Sequence, residues 1–201
     1  MHLLDSAGNE IGTNDKPVVV AKHKKTTLYG TYYIHSGNLT ILASAHGSTA
    51  GFMWVFNPLV SGKIIKIVRL DIIADMTTAL ATPTAPRLTV ERITSTTNFS
   101  GAIIAVAKGD STDVTNVAYV TLVSTGATIT AGAAIAAAIV PANATGTVNT
   151  NPEVYNLIGE KSDVKDLVLR AGEGIVIRQA DAGTTSDTRK AVINIVIEEY
   201  A

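Results

Sequence analysis

The chain has 201 residues, enough for one domain with a core of its own, and no cysteine, which excludes disulfides, thiolate metal centres and a cysteine nucleophile. Sixteen basic residues against 17 acidic ones leave a net charge of −1, so no strong field steers the chain onto nucleic acid or an anionic membrane. Only 16% of residues are charged, against about a quarter in an ordinary soluble domain, while Thr (26), Val (20) and Ile (20) make up about a third of the chain; such a composition favours pleated sheets whose surfaces are covered by contacts.

Residues 1–25 read as an N-terminal arm and residues 26–201 as the folded domain. The arm holds a turn at Ala7-Gly8-Asn9, a polar connector around Gly12-Thr13-Asn14, a short apolar run at 18–21 and the basic run Lys22-His23-Lys24-Lys25. The start has no basic segment followed by a long apolar stretch, as a secretory leader requires, and the most apolar window, 131–140, is too short to span a bilayer. The basic run could touch nucleic acid, but in a balanced chain it reads better as a solvated strand edge, where lysines discourage wrong pairing.

Strands are expected at 28–35, at 39–43 after the Ser36-Gly37-Asn38 turn, and at 51–56 before Asn57-Pro58. The third holds the only Trp and two of the three Phe, a core aromatic cluster or else a ligand-stacking platform. The longest signal is 63–75. There Ile64, Lys66, Val68, Leu70, Ile72 and Ala74 are expected to share one face, with Lys63, Arg69, Asp71 and Asp75 on the wetter one. After the break at Thr82-Pro83-Thr84-Ala85-Pro86, the alternation resumes at 87–93. Further strands are expected at 103–107 and 117–123, around the polar loop Lys108-Gly109-Asp110-Ser111-Thr112-Asp113. In the Ala-rich window 131–140 alanine favours a helix, but Thr128-Ile129-Thr130 before it and Ile135, Ile139 and Val140 within it allow a strand, which is the preferred reading.

Towards the C-terminus, 167–170 and 175–179 around Ala171-Gly172-Glu173-Gly174 read as a strand–turn–strand hairpin. The nearly continuous apolar run 191–197 reads as a central strand covered on both faces. Nine to eleven short strands with no helix signal make an all-β sandwich or barrel, and no fixed period marks a solenoid or propeller.

The sequence offers little chemistry. Ala43-Ser44-Ala45-His46-Gly47 and Gly109-Asp110-Ser111 are similar to the histidine and nucleophile segments of chymotrypsin-like proteases, with Asp71 or Asp75 to orient His46. Only 65 residues separate His46 from Ser111, too few for the intervening barrel, and the loop continues as Thr112-Asp113 without oxyanion-hole glycines. His2, His23, His35 and His46 lack metal-ligand spacing. Asp110 with Asp113, and Asp181 with Asp187, are conceivable calcium loops but read better as turn residues. No catalytic, cofactor-binding or metal-binding residue is therefore assigned, and the chain is expected not to be an enzyme.

Several segments carry a resemblance: Gly30 to Ala43, Gly51-Phe52-Met53-Trp54, Ala171 to Gln179, and Asp181-Ala182-Gly183-Thr184-Thr185-Ser186-Asp187-Thr188-Arg189. In them the chain resembles an uncharacterised family of tailed-bacteriophage structural proteins. The resemblance implies a virion component, a capsid decoration (cement) protein with a jelly-roll-like β-sandwich and an extended N-terminal arm. It also implies assembly as a homo-oligomer, a trimer above all, on the major capsid protein at the capsid surface after synthesis in the host cytoplasm. No cofactor, nucleic acid or membrane partner is expected. The alternatives are another virion part (neck, tail or fibre base) and a carbohydrate-binding β-sandwich module.

Overall fold

A computed structural model of the chain describes residues 28–47, 50–74, 79–80, 84–97, 104, 106–116, 118–121, 129–141, 143–144, 151–184 and 189–201. Among them there is no helix, and fourteen strands follow in order: β1 (Leu28–His35), β2 (Leu39–Thr40), β3 (Met53–Phe56), β4 (Ile64–Ala74), β5 (Ala79–Leu80), β6 (Arg87–Ser95), β7 (Ala107–Lys108), β8 (Tyr119–Thr121), β9 (Ile129–Ile139), β10 (Asn143–Ala144), β11 (Glu153–Ile158), β12 (Leu167–Leu169), β13 (Glu173–Gln179) and β14 (Lys190–Tyr200). The expected arm over 1–25, with its turn, its 18–21 strand and its basic run, lies outside the described residues, as do Asp75, Asp187 and parts of the strands expected at 103–107 and 117–123.

The strands form two antiparallel sheets. A seven-stranded sheet runs β11-β4-β14-β1-β7, with β12 also on β4 and β2 also on β14; a five-stranded sheet runs β8-β3-β13-β6-β9. A short parallel pair, β5 with β10, stands apart. The inner faces pack on one another into a single core. Ile34, Ile65, Ile67, Leu70, Ile72, Ile193 and Ile195 come from the larger sheet, and Met53, Val55, Leu88, Val90, Ile175 and Ile177 from the smaller. The expected all-β sandwich is the fold of this chain. β-branched residues at every second position explain it, since each strand hides one row and leaves the other outside.

Three local expectations are corrected. On β4 the residues buried in the core are Ile65 and Ile67 in the first half, then Leu70, Ile72 and Ala74, while Asp71 is buried on the other face. The parity changes because Val196 of β14 faces Arg69 while Ile197 faces Ile67, so Val68 is an extra residue in a β-bulge. The residues around Gly172 do not make a hairpin: β12 pairs with β4 in one sheet and β13 with β3 and β6 in the other. The turn between them, closed by the Glu173 N–H on Arg170 O with Gly172 at φ +82°, is an arch that carries the chain across the core. Finally, β14 is central, between β4 and β1, but only its inner row is fully covered; Val192, Asn194 and Val196 are half-buried on the outer face.

Two buried amides hold irregular segments to this frame. Asn57 Nδ2 donates to Lys63 O (2.9 Å) and Leu169 O (3.0 Å), tying the β3–β4 turn to the arch. Gln179 behaves like an added peptide unit: its Oε1 accepts from Leu42 N–H and its Nε2 donates to Leu42 O and Asp181 O. The strand expected over 39–43 stops at Thr40, and 41–47 is held by the Gln179 amide together with isolated backbone bonds from Ile41 N–H to Arg189 O and from His46 N–H to Gln179 O rather than by a continuous ladder.

Candidate functional site

The protease-like residues are not brought together. The His46 N–H donates to Gln179 O, and the Gln179 N–H returns a 3.0 Å bond to His46 Nδ1. The ring stands edge-on to Phe52 with centroids 4.5 Å apart. Burial, then the Arg178 charge, pushes the His46 imidazole below its ordinary value. His46 is thus a fixed spacer at the end of β13. Ser111 belongs to the β7–β8 connection, docked on β1 through the Gly109 N–H to Thr31 O (2.7 Å). Asp71 lies on the outer face of the larger sheet, bonded to Arg69 and Asn156.

The first candidate calcium loop, Asp110 with Asp113, is a turn closed on itself; Asp187 of the second lies outside the described residues. Asp110 Oδ1 accepts from the Thr112 N–H (2.8 Å) and Oγ1 (2.7 Å), bonds that hold its carboxyl below the usual range. Asp113 Oδ2 accepts from the N–H groups of Thr31 and Asp110. Asp181 pairs with Arg87 at 3.4 Å. Among the described residues no group of three His, Asp or Glu side chains could hold a metal ion. The aromatic cluster is core: Trp54 is 1% exposed and packs with Phe56, Ile93 and Val176, so it cannot stack on a ligand.

Two surfaces remain. The first is the edge formed by β9. Its eleven residues, Ile-Thr-Ala-Gly-Ala-Ala-Ile-Ala-Ala-Ala-Ile, contain neither charge nor proline. At about 3.4 Å per residue they extend about 37 Å. Among the described residues β9 pairs only with β6. Residues 130–134, Ala137 and Ile139 are exposed. A cleft of about 340 Å³ separates Ile135, Ala136 and Ala137 from the β11–β12 connection. The other edges are guarded as edges usually are: β7, β8 and β12 have two or three residues, and β11 opens on Glu153.

The second surface is the outer face of the seven-stranded sheet. Register places Asn156 (β11) opposite Asp71 (β4), Asp71 opposite Asn194 (β14), and Asn194 opposite His35 (β1), a polar row across four strands. Asn156 Nδ2 donates to Asp71 Oδ1 (2.7 Å), Arg69 Nε to Asp71 Oδ2 (2.5 Å), and His35 Nδ1 to Asn194 Oδ1 (2.6 Å). Arg69, Val196, Tyr33 and Ala107 form the next row. A groove of about 380 Å³ runs between Arg69 and Tyr33 above Val196, and a second cavity of about 640 Å³ lies on the other side of Arg69 and Asp71, towards Asn156 and Lys161.

Sequence reasoning assigned none of these residues to a site. The composition of β9 was readable, but its place at an edge is a property of the sheet order. The polar row has no local signal at all, because its members are separated by at least 36 residues and meet only through strand register. No protein-family model, curated protein or solved structure matches the chain.

Proposed function

We propose that the protein is a structural contact module: a phage capsid decoration protein that joins copies of itself, as a trimer, to the major capsid subunits on the virion surface. The single observation that supports this reading is the open β9 edge. An uncharged strand of eleven residues with no second strand paired to it among the described residues is a template for a further strand, and a protein kept monomeric by selection would blunt it with lysine, proline or brevity. The low charge content and the resemblance to tailed-phage structural proteins lead in the same direction. In this reading the jelly-roll-like path of the sandwich and the arm over 1–25 belong to the assembly device, the arm of one copy adding to an edge of its neighbour. Each contact is weak, and repetition over a shell gives avidity.

The test is co-sedimentation with purified, undecorated capsids of the encoding phage, combined with labelling of the protein in virions by electron microscopy. The intact chain is expected to saturate the shell. Ala133→Lys with Ala137→Lys, and separately deletion of 1–16, are expected to release it. Intact binding by the double lysine variant overturns the role of β9, and label confined to the tail overturns the capsid assignment.

A further inference from the structure

We propose that the groove between Arg69 and Tyr33 on the outer face of the seven-stranded sheet binds a neutral saccharide chain. This goes beyond the assembly role and does not depend on it.

The size is suitable: about 380 Å³ in the groove itself, with the neighbouring cavity continuing past Asp71, falls in the range of small-molecule sites. Strands about 4.8 Å apart make the row from Asn156 to His35 about 14 Å long, roughly the length of three pyranose units.

The chemistry selects the ligand. Polyhydroxylated rings need donors and acceptors side by side, plus an apolar surface for their C–H face. Arg69 spends Nε on Asp71; its side chain is 61% exposed, and its two Nη groups have no partner among the described residues. Asn194 supplies an acceptor oxygen already oriented by its neighbour, and His35, whose Nδ1 bonds Asn194, has Nε2 left for a ligand; the Asp71 carboxylate, almost fully buried, holds Arg69 and Asn156 in place. Tyr33, 51% exposed, supplies the ring. It is supported from behind: a Cβ at Gly109 would stand 3.3 Å from Tyr33 Cε2, so the glycine lets the β7 turn close against the ring. Val196 gives the floor.

The charges decide between neutral and acidic sugars. Arg69 is cancelled by Asp71, and in the adjoining cavity Lys161 stands with Glu160. The groove therefore carries both hydrogen-bonding roles without a net field, which matches hydroxyl and acetamido groups better than carboxylates or sulfates.

The experiment is calorimetric titration of the full chain with neutral tetrasaccharides of glucose (α- and β-linked), N-acetylglucosamine, mannose and galactose, and with sialyllactose and oligogalacturonate as the acidic arm. At least one neutral oligosaccharide is expected to bind with a submillimolar Kd. Tyr33→Ala is expected to weaken it by roughly tenfold, the scale of one lost stacking contact, while the thermal midpoint holds because the ring is half exposed. On the intact protein, the same ligand is expected to shift the His35 ring proton resonances and leave those of His46 unmoved. The assignment is overturned if no neutral member of the panel binds at millimolar concentration, if only acidic members bind, or if binding is indifferent to Tyr33→Ala and leaves His35 unshifted.

Discussion

Glu199 breaks the apolar inner row of β14, and its removal gives the sharpest test of how the sandwich is closed. The side chain is fully buried. Its Oε1 accepts the Ala118 N–H at 3.1 Å, leading into β8 of the smaller sheet, and its Oε2 meets Lys63 Nζ at 3.3 Å at the start of β4 in the larger one. Lys63 in turn stands 4.5 Å from the centroid of the Tyr29 ring. Burial, then the Glu199 charge, pushes the nearby Tyr32 phenol upward, as expected when a carboxylate sits inside the core. Glu199→Ala strands a buried amide and a mostly buried ammonium. Breaking such a pair from one side costs about 3–5 kcal/mol, and because the Lys63 side chain keeps 17% exposure and can turn towards water, the loss is placed at the lower end, about 3 kcal/mol. Glu199→Gln keeps an acceptor for Ala118 and loses only the charge, about 1–2 kcal/mol. Lys63→Met removes the cation from a fully buried carboxylate and is expected to cost at least as much as Glu199→Ala. Combining Lys63→Met with Glu199→Leu recovers the charge part of the loss, since an apolar pair of similar volume needs no desolvated charge, and leaves only the cost of the unpaired Ala118 N–H. Urea unfolding followed by Trp54 fluorescence reads all four variants. Additive losses in the double variant, or equal losses for Glu199→Ala and Glu199→Gln, would refute the reasoning.

Two further substitutions examine other parts of the frame. Gly174 lies in the middle sheet strand β13, and a Cβ there would sit 2.5 Å from Val55 O and 3.1 Å from Phe56 Cα, both backbone atoms locked in the ladder; Gly174→Ala is expected to cost about 3 kcal/mol and lower the melting temperature by roughly 6–12 °C, and an unchanged melting curve would contradict this packing. His46 accepts the Gln179 N–H and has its pKa lowered, so the unfolded chain takes up the proton first as pH falls. Its contribution is therefore complete above the unfolded value near 6.5 and is lost below it as pH drops towards the folded pKa. NMR titration should find His46 protonating below pH 6.5, and His46→Asn should flatten the stability–pH curve in that window; a normal or raised His46 pKa would remove the premise.

What could be read in advance follows the range of the forces involved. β6 announces itself because β-branched alternation is local, and β14 through its apolar run, whereas the Ala-rich β9 is legible only through the few Ile and Val residues that interrupt the alanines. On β4 the same alternation misleads: the extra residue Val68 is imposed by pairing with β14, and no pattern within 63–75 encodes it. The turn at 170–173 has the residues of a hairpin turn, and glycine at φ +82° serves a hairpin and an arch equally well. Which one forms is decided by whether Leu167 and Leu169 find better partners on β4 than on β13. β11 was not anticipated, since Glu153-Val154-Tyr155-Asn156 has neither a clean alternation nor a continuous apolar run. His35, Asp71, Asn156 and Asn194 each look like ordinary polar residues in a strand. Only the register of four strands turns them into a row.

The placement of the two surfaces allows them to work together. β9 is an edge of the five-stranded sheet, whereas the polar row lies on the outer face of the seven-stranded one; the two come together at Asn156 and Lys161, which line both the β9 cleft and the cavity beyond Asp71, while the groove at Tyr33 lies at the other end of the row. Joining copies through β9 extends a sheet in its own plane and leaves that outer face uncovered. A shell studded with such copies would present many identical grooves, so a saccharide held at each with only millimolar to submillimolar affinity would be held firmly by the array, as long as the saccharide-bearing surface spans several grooves. The assembly reading and the binding reading therefore make one joint demand. Lysines on β9 should leave the affinity of the isolated chain for a soluble oligosaccharide untouched while abolishing adhesion of decorated shells to a surface coated with it. If a β9 variant lost affinity in solution as well, the two surfaces would be one, coupled through Asn156 and Lys161.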